Sequence, residues 1–139
     1  METIKYVKTI ESVVPITKLN NEWTLRASTK TALRPHTVVL IPTGIILNIP
    51  KGYGALINMD SKFVMESGLT LASGTKIVKY GNTDEIQILV QNISSYTRVI
   101  EEGRPIVNVT LIPIPDIEFV DSNAKVIKVE SKSIVKGKE

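Results

Sequence analysis

The sequence predicts a single all-β domain, built as a barrel or a sandwich. β-branched residues dominate short segments, and Pro, Gly and Asn separate these segments, which is typical of strands joined by turns. No window carries an apolar stripe at helical spacing, so no helix is predicted. At 139 residues the chain is long enough to bury a core without disulfides or a structural metal.

The first strands are predicted in the N-terminal third. Ile4 to Ile10 alternates between apolar and polar residues, and Trp23 to Ser28 is a short mixed run. The longer apolar run from Thr37 to Ile49 is interrupted at Pro42-Thr43-Gly44. Because Pro has no donor for a central ladder and Gly permits unusual dihedral angles, we expect a bend or a bulge between two strands there.

The rest of the chain continues as short strands. We expect turns at Pro50 to Gly54, Ser67-Gly68, Ser73-Gly74 and Glu101 to Gly103, and a loop at Tyr80 to Asp84. The predicted strands are Ala55 to Met59, Lys76 to Lys79, Glu85 to Asn92 and Pro105 to Ile112. After Pro113 the segments IEFV, KVIKV and SIV alternate weakly. Short strands at this spacing favour a barrel or a sandwich.

Composition excludes several kinds of site. Cysteine is absent and His36 is the only histidine, which excludes disulfides, zinc-thiolate sites, cysteine nucleophiles and a histidine metal cluster. The apolar runs are short and broken, so we expect neither a signal peptide nor a membrane span, and we expect a setting in a host cytoplasm, a virion or both. The net charge of +3 comes from scattered basic residues, which give no specific nucleic-acid signal.

Several segments match the motifs of a known enzyme family in order. The sequence TLRAS resembles the end of the first motif, LIPTGIILNIPKGYGALI resembles the Pro-Thr-Gly and Pro-x-Gly-Tyr strands, and Asn92 and Gly103 match a strand-ending Asn and the Gly of the fourth motif. From Trp23 to Val120 the chain therefore resembles the trimeric dUTPases. The resemblance implies a dUTPase-like distorted jelly-roll β-barrel or sandwich for residues 1–120. It also implies a homotrimer with sites between subunits, and an arm or added edge strand on a neighbouring subunit for residues 121–139.

The resemblance also implies changed residues at the phosphate and metal positions. Thr24 stands where the first motif has the acidic residue that holds magnesium. Asp60-Ser61 replaces an Arg-Ser pair that contacts phosphate, so a negative group faces an anionic substrate. In the fourth motif Asn108 replaces a Gln, and Arg104 stands one position before the expected Arg.

The third and fifth motifs differ as well. Lys79 and Asn82 stand where the family has the Asp that activates water and the Tyr that stacks under deoxyribose. If the loop is shifted, Asp84 and Tyr80 substitute in reversed order. No Gly-rich, Phe-bearing closing arm follows Val120.

Three hypotheses of function follow. Because catalytic groups that act together have strongly non-additive effects, these changes predict a non-enzymatic homotrimer with no catalytic residue, metal or cofactor. It would have a structural or interaction role among the proteins of a larger assembly, such as a phage particle. The second hypothesis is a nucleotide-binding pseudoenzyme or regulator, and the third is an active but divergent dUTP diphosphatase.

Other candidate residues have simpler interpretations. We expect His36 to be structural, and we expect the pairs Asp60 with Glu66 and Asp84 with Glu85 to be solvated loop carboxylates rather than magnesium ligands. The Gly turns at 52–54 and 73–74 give only a weak signal for an anion nest. Four aromatic residues would stack on bases only if they shared a face, and we expect them to pack in the core or at its rim instead: Trp23, Tyr53, Tyr80 and Tyr96.

Overall fold

The structure is a computed structural model that describes residues 2–72 and 74–123. Within these residues the fold consists of short strands and one short helix, which confirms the predicted all-β class. The elements are β1 (Lys5–Lys8), β2 (Thr17–Leu19), β3 (Glu22–Arg26), β4 (Thr31–Leu33), β5 (Val38–Pro42), β6 (Ile45–Asn48), β7 (Tyr53–Met59), α1 (Ser61–Ser67), β8 (Leu69–Leu71), β9 (Lys76–Lys79), β10 (Gln87–Asn92), β11 (Arg98–Ile100) and β12 (Pro105–Pro113).

The strands pair into antiparallel sheets around one apolar core. The largest sheet has the order β2-β3-β12-β7-β9, and a second has the order β5-β10-β8. The pairs β1-β6 and β4-β11 complete the described sheets. In β6 and β10 alternate residues are buried, and the largest fully buried side chains of the fold include Leu25, Ile41, Ile57, Ile88 and Ile106.

The interruption at Pro42-Thr43-Gly44 is a bend between two sheets. β5 ends at Pro42 and pairs with β10, whereas β6 begins at Ile45 and pairs with β1. Gly44 has a φ of 71°, a conformation that favours glycine, and its amide donates to Glu85 Oε2 at 2.8 Å. The hydroxyl of Thr43 donates to the Ile86 carbonyl at 2.6 Å. The predicted bend is therefore present and is held by the segment that leads into β10.

The prediction that the chain has no helix is wrong at α1. Its N-cap is Asp60, whose carboxylate accepts a hydrogen bond from the Phe63 amide at 3.0 Å, and its C-cap is Gly68 with a φ of 72°. In this seven-residue helix only Phe63 is buried, so the sequence has no apolar stripe that would indicate a helix. The capping residues Asp60 and Gly68 were the features of the sequence that indicated it. The helix is also far too short to cross a membrane.

The weak alternation in the sequence after β12 does not correspond to a strand in the described residues. Residues 117–120, the IEFV segment, form no strand, and Ile117, Phe119 and Val120 are exposed. The KVIKV and SIV segments, and most of the expected C-terminal arm, lie in residues 124–139, outside the described part of the chain.

Candidate functional site

The sheet order brings the first, second and fourth motif positions together. β12 lies between β3 and β7, and its register places Asn108 opposite both Thr24 and Asn58. Asp60 and Ser61 follow directly after β7 and begin α1. Three segments that are distant in sequence therefore meet at one end of the five-stranded sheet.

Thr24 and Asn108 form a neutral hydrogen-bonded pair. The Thr24 side chain is buried, and its hydroxyl lies 3.3 Å from Asn108 Oδ1 and 3.1 Å from the Glu22 carbonyl oxygen. Both neighbours are acceptors, so the hydroxyl hydrogen is directed into the protein. The pair offers no carboxylate to a cation.

The acidic residues do not gather into a metal centre. Asp60 caps α1, Glu66 contacts Arg104, and Glu85 accepts the Gly44 amide. Across residues 2–72 and 74–123 no group of three or more Asp, Glu or His side chains has the spacing of a metal site. Thr24 and Asn108 do not fit the magnesium ion that the family resemblance implies at the first motif, because Mg²⁺ prefers carboxylate and water oxygens and this pair has no carboxylate.

A cavity of about 270 Å³ lies between α1 and the start of β12. Two cations and two carboxylates surround it, so the charges balance. The lining residues are Leu19, Asn20, Asp60, Lys62, Phe63, Glu66, Arg104 and Pro105.

One ion pair dominates this cavity. Arg104 Nη2 lies 2.8 Å from Glu66 Oε1, and the Arg104 guanidinium lies 5.2 Å from the centre of the buried Phe63 ring. The Arg104 side chain is 35% exposed and that of Glu66 is 51% exposed, so solvent reaches both charges. The displaced Arg104 thus does reach the second motif, where Asp60 and Ser61 lie.

The third-motif positions lie elsewhere in the same chain. Lys79 ends β9, an edge strand separated from β3 by β12 and β7. Asn82 Nδ2 donates to the backbone carbonyl of Asp84 at 3.0 Å, which shapes the loop before β10. Lys79, Tyr80 and Asp84 are exposed. One chain therefore does not bring these groups to Thr24 or Arg104.

The remaining candidates have local contacts. The exposed His36 has a φ of 61°, and its amide donates to the Asn92 carbonyl at 2.8 Å, as expected of a turn residue. Lys18 lies over the Trp23 ring and Arg98 over the Tyr96 ring. Trp23 also borders a second, mostly apolar cavity of about 530 Å³ beside β1, which contains no third-motif residue. The aromatic side chains thus do not form one stacking surface.

Sequence reasoning missed Lys62, Phe63 and the Glu66 contact with Arg104. Each depends on α1, which places Lys62 and Glu66 four residues apart on neighbouring turns. Recognising Asp60 and Gly68 as caps would have predicted the helix, but not the contact of Glu66 with Arg104.

Comparisons with known proteins give a consistent result. A scan against protein-family models finds no match. A deoxyuridine 5'-triphosphate nucleotidohydrolase of Finegoldia magna is 34% identical over 99 residues, covering 70% of this chain and 69% of that protein. The enzyme of the same name from Hydrogenobaculum sp. is 29% identical over 90 residues, covering 65% of this chain. The chain spans 62%, 61% and 57% of the length of three such relatives.

Solved structures share the fold. The dUTPase of Staphylococcus bacteriophage 80alpha with dUPNHPP superimposes with a TM-score of 0.80, covering 96% of this chain and 92% of that one at 15% identity. At this identity the likeness shows the fold alone, and it confirms the predicted dUTPase-like barrel.

The relatives contradict the first hypothesis of function. They are named deoxyuridine 5'-triphosphate nucleotidohydrolases, which is the name of an enzyme. The prediction of a non-enzymatic structural module, pseudoenzyme or phage-particle component is therefore wrong. The hypothesis of a divergent enzyme agrees better with the relatives.

Proposed function

Since the chain belongs to the deoxyuridine 5'-triphosphate nucleotidohydrolase (dUTPase) family, we propose that it is a divergent dUTPase that hydrolyses dUTP to dUMP and pyrophosphate. The similarity to the Finegoldia magna enzyme carries this proposal, because it covers 69% of that protein at 34% identity. In the reaction, a water oxygen bonds to the α-phosphorus. The bond from this phosphorus to the bridging oxygen breaks, and pyrophosphate leaves.

The cavity beside α1 is the proposed phosphate site. Lys62 and Arg104 supply cations there, and the exposed Ser61 retains the hydroxyl of the second motif. Charge-assisted hydrogen bonds from these groups would hold a phosphate in place of the family's second-motif arginine. Asn108 does not line this cavity. It lies on β12 between β3 and β7, where its side chain is hydrogen-bonded to Thr24.

Asp84 is the proposed general base. Its carboxyl group is exposed on the loop before β10, and in the shifted-loop alignment it replaces the family's water-activating Asp. This loop lies at the opposite edge of the five-stranded sheet from β3. A complete site therefore requires Asp84 from a second copy of the chain.

We accordingly propose self-association as a homotrimer with sites between subunits. Residues 1–120 would form the β domain, and residues 121–139 would reach a neighbouring subunit as an arm or an added edge strand. A protein that acts on free nucleotides works where these are made, so we propose the cytoplasm as its setting.

The test is pyrophosphate release by the full-length chain. The protein would be incubated with dUTP, dTTP, dCTP and UTP in buffer containing magnesium, and its mass in solution would be measured on the same sample. We expect release from dUTP above all and the mass of three chains. Absence of pyrophosphate from all four nucleotides at high protein concentration would reject the proposal.

A further inference from the structure

We propose that Glu66 acts as an internal substitute for a phosphate group: its carboxylate pairs with Arg104 and is displaced when the substrate's phosphate binds. This inference rests on the proposed function, because it concerns the same cavity. It assigns Arg104 as a phosphate-binding residue and Glu66 as the group that regulates access to it.

The backbone of Arg104 is held in place, and its guanidinium rests on a buried ring. Its backbone carbonyl accepts the Ala27 amide at 3.0 Å, and Arg26 Nη1 donates to the neighbouring Gly103 carbonyl at 2.9 Å. Its guanidinium lies over the ring of Phe63, which is only 1% exposed and cannot move aside. A cation fixed in this way loses little conformational freedom when it binds an anion.

Glu66 is held much less firmly. It lies in the last turn of α1, half of its side chain is exposed, and its hydrogen-bond partner among the described residues is Arg104 Nη2. An exposed ion pair of this kind contributes little free energy. Rotation of the Glu66 side chain would therefore release Arg104 without unfolding the helix.

The other charges of the cavity favour a phosphate as the competing group. A guanidinium has five N–H donors, and Glu66 contacts Arg104 through Nη2, which leaves the remaining donors to bind further oxygens. Lys62 adds a second cation to the lining. Asp60 opposes anion binding by its charge, although one of its oxygens is engaged by the Phe63 amide. A multiply charged phosphate has more acceptors and more charge than the Glu66 carboxylate.

Titration calorimetry with inorganic triphosphate tests this inference on the full-length chain. We expect Glu66→Gln to bind triphosphate about tenfold more tightly, since the competing charge is removed, and Arg104→Gln about tenfold more weakly. The exposed pair Lys30 with Glu101, 3.9 Å apart and outside the cavity, is the matched control. Lys30→Gln and Glu101→Gln should stay within about twofold of the parent chain.

The size of the change distinguishes a displaceable contact from an effect of charge alone. Asp60→Asn removes the same charge from the cavity without releasing Arg104, so Glu66→Gln should tighten triphosphate binding more than Asp60→Asn does. Unchanged or weaker binding by Glu66→Gln would overturn the inference, and so would unchanged binding by Arg104→Gln.

A second readout separates this inference from the proposed function. If the parent chain hydrolyses dUTP but Arg104→Gln has the same KM, the inference fails and the proposed function stands. If dUTP is not hydrolysed, but Arg104→Gln weakens triphosphate binding and Glu66→Gln tightens it more than Asp60→Asn does, the inference stands and the proposed function fails.

Discussion

The hydroxyl of Thr24 donates a hydrogen bond to Asn108 Oδ1 across 3.3 Å, linking β3 to β12 at the first and fourth motif positions. The bond is partly buried and connects residues that are 84 positions apart in sequence. It holds the Asn108 side chain against β3. The two substituted motif residues therefore form a consistent local structure rather than two unrelated losses.

Thr24→Val should destabilise the protein by about 1–2 kcal/mol, because Asn108 Oδ1 and the Glu22 carbonyl lose the hydroxyl donor that they share. The change is nearly isosteric, so packing changes little. Urea unfolding measures the loss. Thr110→Val, at an exposed position of β12, is the control and should change stability by less than about 0.5 kcal/mol. Equal losses in the two variants would show that the bond contributes nothing.

Gly44→Ala should be severely destabilising, by about 2–4 kcal/mol. An added Cβ would lie 2.5 Å from Val13 Cγ2, in addition to the strain of a φ of 71°. Gly81→Ala is the matched control, since its φ is 91° but nothing lies within 4 Å of the added Cβ. The difference between the two unfolding free energies isolates the steric contact, and a difference near zero would contradict this account of the bend.

Asn92→Ala should cost about 2–4 kcal/mol, because this fully buried side chain supports the loop between β10 and β11. Its Nδ2 donates to the Leu33 and Tyr96 carbonyls at 2.9 and 2.8 Å, and its Oδ1 accepts from the Ser94 amide at 3.0 Å. The exposed Asn48→Ala serves as the control in the same denaturant titration. A loss no larger than that of the control would refute the supporting role.

Substitution of Asp60 should separate its capping role from its charge. Asp60→Asn keeps a side-chain acceptor for the Phe63 amide and should cost little stability, whereas Asp60→Ala should lose about 1 kcal/mol. Both variants should bind inorganic triphosphate more tightly, since each removes a negative charge from the cavity. Thermal unfolding and titration calorimetry measure the two effects. Weaker binding by Asp60→Asn would show that this carboxylate does not oppose the anion.

The fold was predictable where local chemistry decides the backbone. The bend at Pro42-Thr43-Gly44 follows from the missing amide hydrogen of Pro and the freedom of Gly, and both effects are visible in sequence. The helix α1 was not predictable from periodicity, because a single buried Phe63 defines no stripe. The strands β4 and β11 were not predicted for a similar reason. Each has only three residues, too few to show a periodic pattern, and each pairs with the other.

The site was predictable only in part. The resemblance located Thr24, Asp60 and Asn108, and the sheet register brings them to one end of the molecule. The pairing of Arg104 with Glu66 joins residues 38 positions apart and depends on where α1 packs against β12. Sequence spacing does not specify such packing, because tertiary contacts between distant segments determine it.

Asp84→Asn should lower dUTP hydrolysis by about 10²-fold to 10⁴-fold if Asp84 is the general base, with little change in KM. The exposed Asp116→Asn, which removes the same charge outside the loop before β10, is the control and should retain activity. Full activity in Asp84→Asn would remove this residue from the proposed chemistry, and the assignment would then pass to another group.

The most direct test of the central claim is chromatographic measurement of dUMP formed from dUTP by the full-length chain. The proposal predicts dUMP and pyrophosphate in equal amounts, in repeated turnovers that a heat-denatured sample does not produce. If no dUMP appears even when protein and dUTP are present in equal concentrations, the chain is not a dUTPase, despite its membership of the family.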